Sequence, residues 1–135
     1  MSEVVLDASV VLKWFRGAGE RHVDEARAIR ATYEAGDLVV WAPPLLPLEL
    51  LDVAGRRWEL GEEALVTLAG ALDDLGFELL EPPLESVARW IARGLTAYDA
   101  TYLAVAEAAS VELVTDDDRI LSLAPGIARP LAPDP

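Results

Sequence analysis

The chain has 135 residues and 53% of them are hydrophobic, which suits one domain with a proper core and excludes a disordered segment. Eleven Lys and Arg face 24 Asp and Glu, a formal net charge of −13; this argues against a protein that coats nucleic acid through surplus positive charge, but not against an enzyme whose acids hold metal ions. With no Cys and a single His, His22, the chain has no disulfide scaffold, thiolate zinc site, iron–sulfur cluster, cysteine nucleophile or multi-histidine metal site.

Val4-Val5-Leu6 is apolar and β-branched and predicts a buried strand ending at Asp7. Ala8 to Phe15 predicts a helix, closed by Gly17-Ala18-Gly19. Glu20 to Ala35 predicts a second, polar helix stopped by Gly36, with His22 on it as an ordinary surface residue. Leu38 to Trp41 reads as a strand broken by Pro43-Pro44, and Leu45 to Trp58 as a helix with proline in its first turn. Glu62 to Leu75 has a helical apolar period, and Phe77 to Leu80 is a short strand. Pro82-Pro83 opens a helix through Arg93; Thr96 to Ala109 is another, with Tyr98, Tyr102, Leu103 and Ala106 on one side. Val111 to Val114 is a strand, Asp116 to Leu123 a short helix, and Ile127 to Leu131 a last edge strand.

Buried strands alternating with helices predict an α/β fold: three layers, α/β/α, around a mostly parallel sheet of four or five strands. Residues 1–131 form one domain by this reading, and 132–135 a loose tail. The longest uncharged run, Leu38–Leu48, is too short to span a bilayer and contains three prolines. Glu3 and Asp7 stand where a signal peptide needs a basic start and an apolar stretch. The expectation is a soluble cytoplasmic protein with no membrane partner. Trp14, Trp41, Trp58 and Trp90 are expected in the core or an interface rather than as a base-stacking platform.

Ligands of open parallel sheets bind beyond the carboxyl ends of the strands. Asp7 and Asp117 each follow an apolar strand, while Glu49 and Asp99 lie in apolar helical stretches. An acid among leucines must find a partner or stay protonated. Each has a plain alternative. Asp99 completes a capping box opened by Thr96, Asp116–Asp118 suit a helix N-terminus, and Glu49 can pair with Arg56 or Arg57. Asp7 has no such alternative. Two like charges about 4 Å apart repel by roughly 4 kcal/mol at an effective dielectric of 20. Clustered carboxylates therefore call for a divalent cation, and an all-oxygen site suits Mg²⁺ or Mn²⁺, which can activate water against a phosphodiester.

The residues Val5-Leu6-Asp7-Ala8-Ser9, then Glu49, then Tyr98-Asp99-Ala100-Thr101-Tyr102-Leu103-Ala104-Val105-Ala106, then Leu113-Val114-Thr115-Asp116-Asp117 resemble the PIN-domain ribonucleases. The likeness is greatest to the VapC-type toxins of bacterial toxin–antitoxin pairs and covers nearly the whole chain. It implies an acidic pocket binding Mg²⁺ or Mn²⁺, endonucleolytic cleavage of RNA, a cognate antitoxin and a homodimer. Asp7, Glu49, Asp99 and Asp117 match the family's metal-binding, catalytic acids; Ser9 and Thr115 match polar positions beside the metal. Three residues after the glutamate the family usually has Asn, and here it is Asp52. Asp52 either adds charge near the metal or pairs with Arg56.

An RNA substrate has to overcome the net negative charge, and Lys13, Arg16, Arg56, Arg57, Arg89 and Arg93 are the candidate rim for it. An antitoxin peptide carrying Arg between apolar anchors suits an acidic pocket rimmed by Trp14, Leu45 and Leu48. Competing readings are weaker. A receiver domain wants paired acids after the first strand and a late lysine, but the only lysine is Lys13. A haloacid-dehalogenase-type phosphatase wants a second Asp where Ser9 stands. A catalytically impaired PIN-like binding module is kept open by Asp52.

Overall fold

The computed structural model of the chain describes residues 1–132. Val4, Val5 and Leu6 are all buried, as a strand covered on both faces requires. They end β1 (Ser2–Leu6), which lies at the centre of the sheet. β2 (Leu38–Ala42) pairs parallel with it on one side, and β4 (Glu112–Thr115) pairs parallel on the other. The two-residue β3 (Glu78–Leu79) and β5 (Ala128–Pro130) form the edges. The order is β3-β2-β1-β4-β5, all parallel. The chain builds outward from β1 through β2 to β3, then returns to the far side of β1 for β4. The direction of winding thus reverses between β1 and β4, the switch point where such sheets open a ligand crevice.

The described residues form seven helices that flank this sheet in a three-layer α/β/α arrangement: α1 (Ala8–Phe15), α2 (Val23–Glu34), α3 (Leu45–Arg56), α4 (Glu62–Asp73), α5 (Leu84–Ala92), α6 (Ala97–Ala109) and α7 (Asp118–Leu123). α6 crosses β1, β2 and β4. Its Ala100, Ala104 and Ala106 are small enough to let the backbone approach the strands, and Tyr102, Leu103 and Val105 fill the remaining core. α1 and α2 pack on each other, α1 against β1 and β4 and α2 against β2. Gly36 and Gly76 follow α2 and α4 with φ of 81° and 73°, left-handed conformations that reverse the chain towards β2 and β3 and that side chains resist.

The predicted elements all form, with shifted ends. The second helix starts at Val23, not Glu20, because His22 takes a left-handed backbone (φ 58°) at its N-cap. His22 is therefore at a corner of the chain rather than on an open helical face. Tyr98 does not share the buried side of α6; it is 63% exposed because the first turn of the helix projects past the packed part. Trp14 and Trp90 are buried, in keeping with a core role. Of the expected tail 132–135, residues 133–135 lie outside the described residues. Among the described residues no helix is long and apolar enough to cross a membrane.

Candidate active site

Asp7 leaves β1 at the switch point and starts α1 without capping it through its side chain. The register that pairs Leu6 with Val114 brings Asp7 beside Thr115, the last residue of β4. Two hydroxyls clamp its buried carboxylate: Ser9 Oγ donates to Oδ1 at 2.5 Å and Thr115 Oγ1 donates to Oδ2 at 2.5 Å. Each hydroxyl in turn accepts a backbone N–H, Ser9 from Asp116 at 3.1 Å and Thr115 from Asp117 at 3.0 Å. A hydroxyl that accepts from an amide has its single proton free for the carboxylate, so the turn after β4 orients both donors onto Asp7. Burial pushes the Asp7 carboxyl up to about 6; the Ser9 and Thr115 bonds oppose this, and the Asp117 charge adds to it.

Asp117 is the N-cap of α7: its Oδ1 accepts from the N–H groups of Arg119 (2.9 Å) and Ile120 (3.0 Å). The plain reading of this acid is therefore realised, and it leaves Oδ2 without a capping role. Asp99 stands in the first turn of α6, where its N–H donates to the N-cap Thr96 Oγ1 at 3.1 Å, one half of the expected capping box. Burial and then the Asp117 charge hold the Asp99 carboxyl above its usual range, against opposing effects of Thr96 and Arg119. Glu49, on α3, pairs with neither Arg56 nor Arg57. Its Oε1 accepts instead from Tyr102 Oη at 2.8 Å. Burial raises its carboxyl, the Tyr102 bond opposes that, and the Asp99 charge adds to it.

The four acids thus act on one another in a chain: Asp7 with Asp117, Asp117 with Asp99, Asp99 with Glu49. Arg119, whose guanidinium donates to the Gly94 carbonyl, is the cation that tempers Asp99. The links in that chain are effects of charge, each between two acids. Among the described residues no three acidic or imidazole side chains are drawn tightly enough to hold an ion. As donors, however, the four carboxylates form an all-oxygen set open to solvent at Glu49, Asp99 and Asp117, which fits a hard divalent cation in kind.

Asp52 stands apart. It is exposed and bonded to Arg56 Nε at 2.6 Å, one helical turn away. The basic candidates also disperse. Lys13 is buried, 4% exposed, with Nζ 3.3 Å from Asp116 and 3.7 Å from Glu20, so it is a structural cation rather than part of an open rim. Arg16 lies over Trp58, Arg93 over Trp90, and Arg89 pairs with Glu85. Arg57 lines a polar pocket beside the acids, with Ser9, Lys13, Arg21, Asp116 and Asp117. Trp14 cannot rim the acids: it is buried and its indole N–H donates to the Ala26 carbonyl at 2.9 Å, whereas Leu48 is 62% exposed.

Sequence reasoning missed two features. One is Tyr102, whose position three residues after Asp99 put it on the acid's face of the helix and whose burial demanded a partner. The other is the group around Asp116, which accepts from His22 Nδ1 at 2.8 Å and Arg21 Nε at 3.1 Å and is paired with Lys13. Burial pushes the Asp116 carboxyl up, but the bonds from His22, Arg21 and Lys13 outweigh it and hold the group below its usual range. No local pattern predicted contacts more than ninety residues apart in sequence.

A parallel sheet whose switch point gathers carboxylates from β1, α3, α6 and the end of β4 is the architecture of the PIN domain, and the chain belongs to that family, whose model matches residues 4–125. Among its relatives is "Exonuclease VapC9" of Pyrobaculum aerophilum, 36% identical over 89 residues that cover 61% of this chain and 67% of the relative. The fold is also that of Mycobacterium tuberculosis VapC20, described as a sarcin-ricin loop cleaving toxin, at 20% identity and TM-score 0.67 over 92% of this chain and 95% of that one. A toxin–antitoxin complex from Klebsiella pneumoniae matches at 17% identity and TM-score 0.57, covering 96% of this chain and 98% of that one.

Proposed function

We propose that the chain is a metal-dependent endoribonuclease acting as the toxin of a toxin–antitoxin pair, with Asp7, Glu49, Asp99 and Asp117 as its metal-binding acids. The observation that carries this reading is the buried Asp7 at the switch point, both of its oxygens held by Ser9 and Thr115, with Glu49, Asp99 and Asp117 half-buried at the same end of the sheet. Family membership and the VapC relatives support nuclease chemistry. Mg²⁺ or Mn²⁺ held by these acids would supply an activated water and stabilise the leaving oxygen of the phosphodiester. The chain's own part is orientation. Ser9 and Thr115 fix both oxygens of Asp7; the half-buried Glu49, Asp99 and Asp117 form the mouth through which RNA arrives. Arg57, in the adjoining pocket, is the cation best placed to receive a neighbouring phosphate.

The VapC9 name says exonuclease, whereas the resemblance to VapC-type toxins implies internal cleavage. A circular single-stranded RNA, which has no ends, separates the two. The wild type should open it with Mg²⁺ or Mn²⁺ and not with chelator, and Asp7→Asn and Asp99→Asn should be inactive but folded. Trimming of linear RNA alone would make the enzyme an exonuclease, and undiminished cleavage by either variant would remove the acids from the mechanism.

The partner we propose is an antitoxin whose Arg enters the acid site in bidentate fashion. The similar chain in the Klebsiella pneumoniae complex supports a partner of this kind. Neutralising Asp7 and Asp99 together should weaken that complex; equal retention of the double variant would place the Arg elsewhere.

A further inference from the structure

Among the four acids, Glu49 stands on a helix that packs little against α6, the helix that carries Asp99. α3 packs chiefly against α1 and α4, whereas Asp99 rides on α6, which packs against the sheet and α5. The contact between α3 and α6 that bears on the site is polar: Tyr102 Oη donates to Glu49 Oε1 at 2.8 Å. Tyr102 is 1% exposed, among the largest fully buried side chains, and its ring is fixed by the core on all sides. Its hydroxyl emerges from that core beside Glu49, within the field of Asp7 and Asp99 as well. Asp99 and Tyr102 are three residues apart on one helix, so the face that carries one acid also carries the donor that holds another. A buried phenol needs a hydrogen-bond partner, and a half-exposed glutamate with several rotatable bonds loses much freedom when it supplies one.

We propose that Tyr102 is a positioning residue: its phenol locks Oε1 of Glu49 against α6 and so turns Oε2 towards Asp99 and the incoming cation. The assignment rests on the reading of Glu49 as a metal-site acid. On that reading Tyr102 acts as an outer-shell partner, and loss of such a partner weakens metal affinity by about 10–100-fold.

The test is Mn²⁺ affinity, measured by electron paramagnetic resonance on the full chain for wild type, Tyr102→Phe, Glu49→Ala and the double variant. A thermal melt accompanies each. Phe keeps the buried ring, and water can reach the half-exposed glutamate, so Tyr102→Phe should melt near the wild type. It should nevertheless bind Mn²⁺ about tenfold more weakly. In the Glu49→Ala background the same change should cost less than about twofold, since the group it positions is gone. Wild-type affinity in Tyr102→Phe, or an equal loss in both backgrounds, would overturn the proposal. A Tyr102→Phe chain that melts below the assay temperature would also count against it, because the bond would then hold the core rather than the carboxylate. If the wild type binds no Mn²⁺, or Glu49→Ala binds it equally well, the metal-site reading falls and takes this assignment with it. If Glu49→Ala weakens binding and Tyr102→Phe does not, only the role of Tyr102 falls.

Discussion

Asp7 shows what burying one carboxylate costs in stability. Its carboxyl lies near 3.8 when free and at about 6 in the folded chain, so between those values the folded state holds the extra proton. The stability this proton brings is complete below about pH 4 and is lost as pH rises through 6. The difference corresponds to about 3 kcal/mol. Metal-free wild type should therefore lose stability between pH 4 and 7, and Asp7→Asn should lose less over that range. Urea denaturation at the two pH values measures it; equal losses would show that the hydroxyl clamp already satisfies the charge. Asp52 makes the opposite case. Its bond to Arg56 is exposed and one helical turn long, worth about 0.5 kcal/mol or less. Asp52→Asn should leave Mn²⁺ affinity and cleavage rate unchanged. A change in either would mean that Asp52 reaches the metal despite its partner.

At the scale of elements, the site depends on how α1, the following corner and the β4–α7 turn are joined. Lys13 on α1 is buried with Asp116, and Arg21 and His22 reach the same carboxylate from the corner before α2. The left-handed backbone of His22 is disfavoured by itself, and its side-chain bond to Asp116 helps to hold it. This turn also supplies the amides that orient Ser9 and Thr115. Removing a buried cation strands its partner, but Asp116 keeps two others, so Lys13→Met should cost about 2 kcal/mol rather than the full penalty. Cleavage should fall further than stability predicts, because the Asp7 clamp loosens. A stable variant with wild-type cleavage would separate the network from the site. Thr96→Ala removes the cap of α6 and should cost about 1 kcal/mol. A chemical-denaturation series reads both.

For the molecule as a whole, a net charge of −13 means that folding brings like charges together. A cation bound only by the folded state should stabilise it by about 2.7 kcal/mol at a hundredfold excess over Kd. For a chain of this size that is roughly 10 °C in Tm. Mg²⁺ or Mn²⁺ should produce the rise at constant ionic strength, and Asp99→Asn should remove most of it. An equal rise in the variant would indicate general screening of the acidic surface rather than one site.

Periodicity and chain punctuation were enough to read the α/β class, the parallel sheet and every element. A short apolar, β-branched run such as Val4–Leu6, held between Glu3 and Asp7, reads as a buried strand, and that information is local. The four acids stood out in the sequence as candidates, because a carboxylate next to an apolar strand or within an apolar helix is costly without a partner. Local partners such as the Thr96 cap beside Asp99 were legible as well, but the long-range ones were not. Whether Asp52 met Arg56 or the metal depended on which way α3 faced, and that is decided by packing on α1 and α4. Lys13 looked like a rim cation because a lysine's usual place is the surface; only the return of the chain at Asp116 made burial affordable. The bond from Tyr102 to Glu49 joins positions 53 apart in sequence. Such contacts are set by the order of strands in the sheet, which brings α3, α6 and the end of β4 to the switch point, and no stretch of neighbouring residues encodes that order.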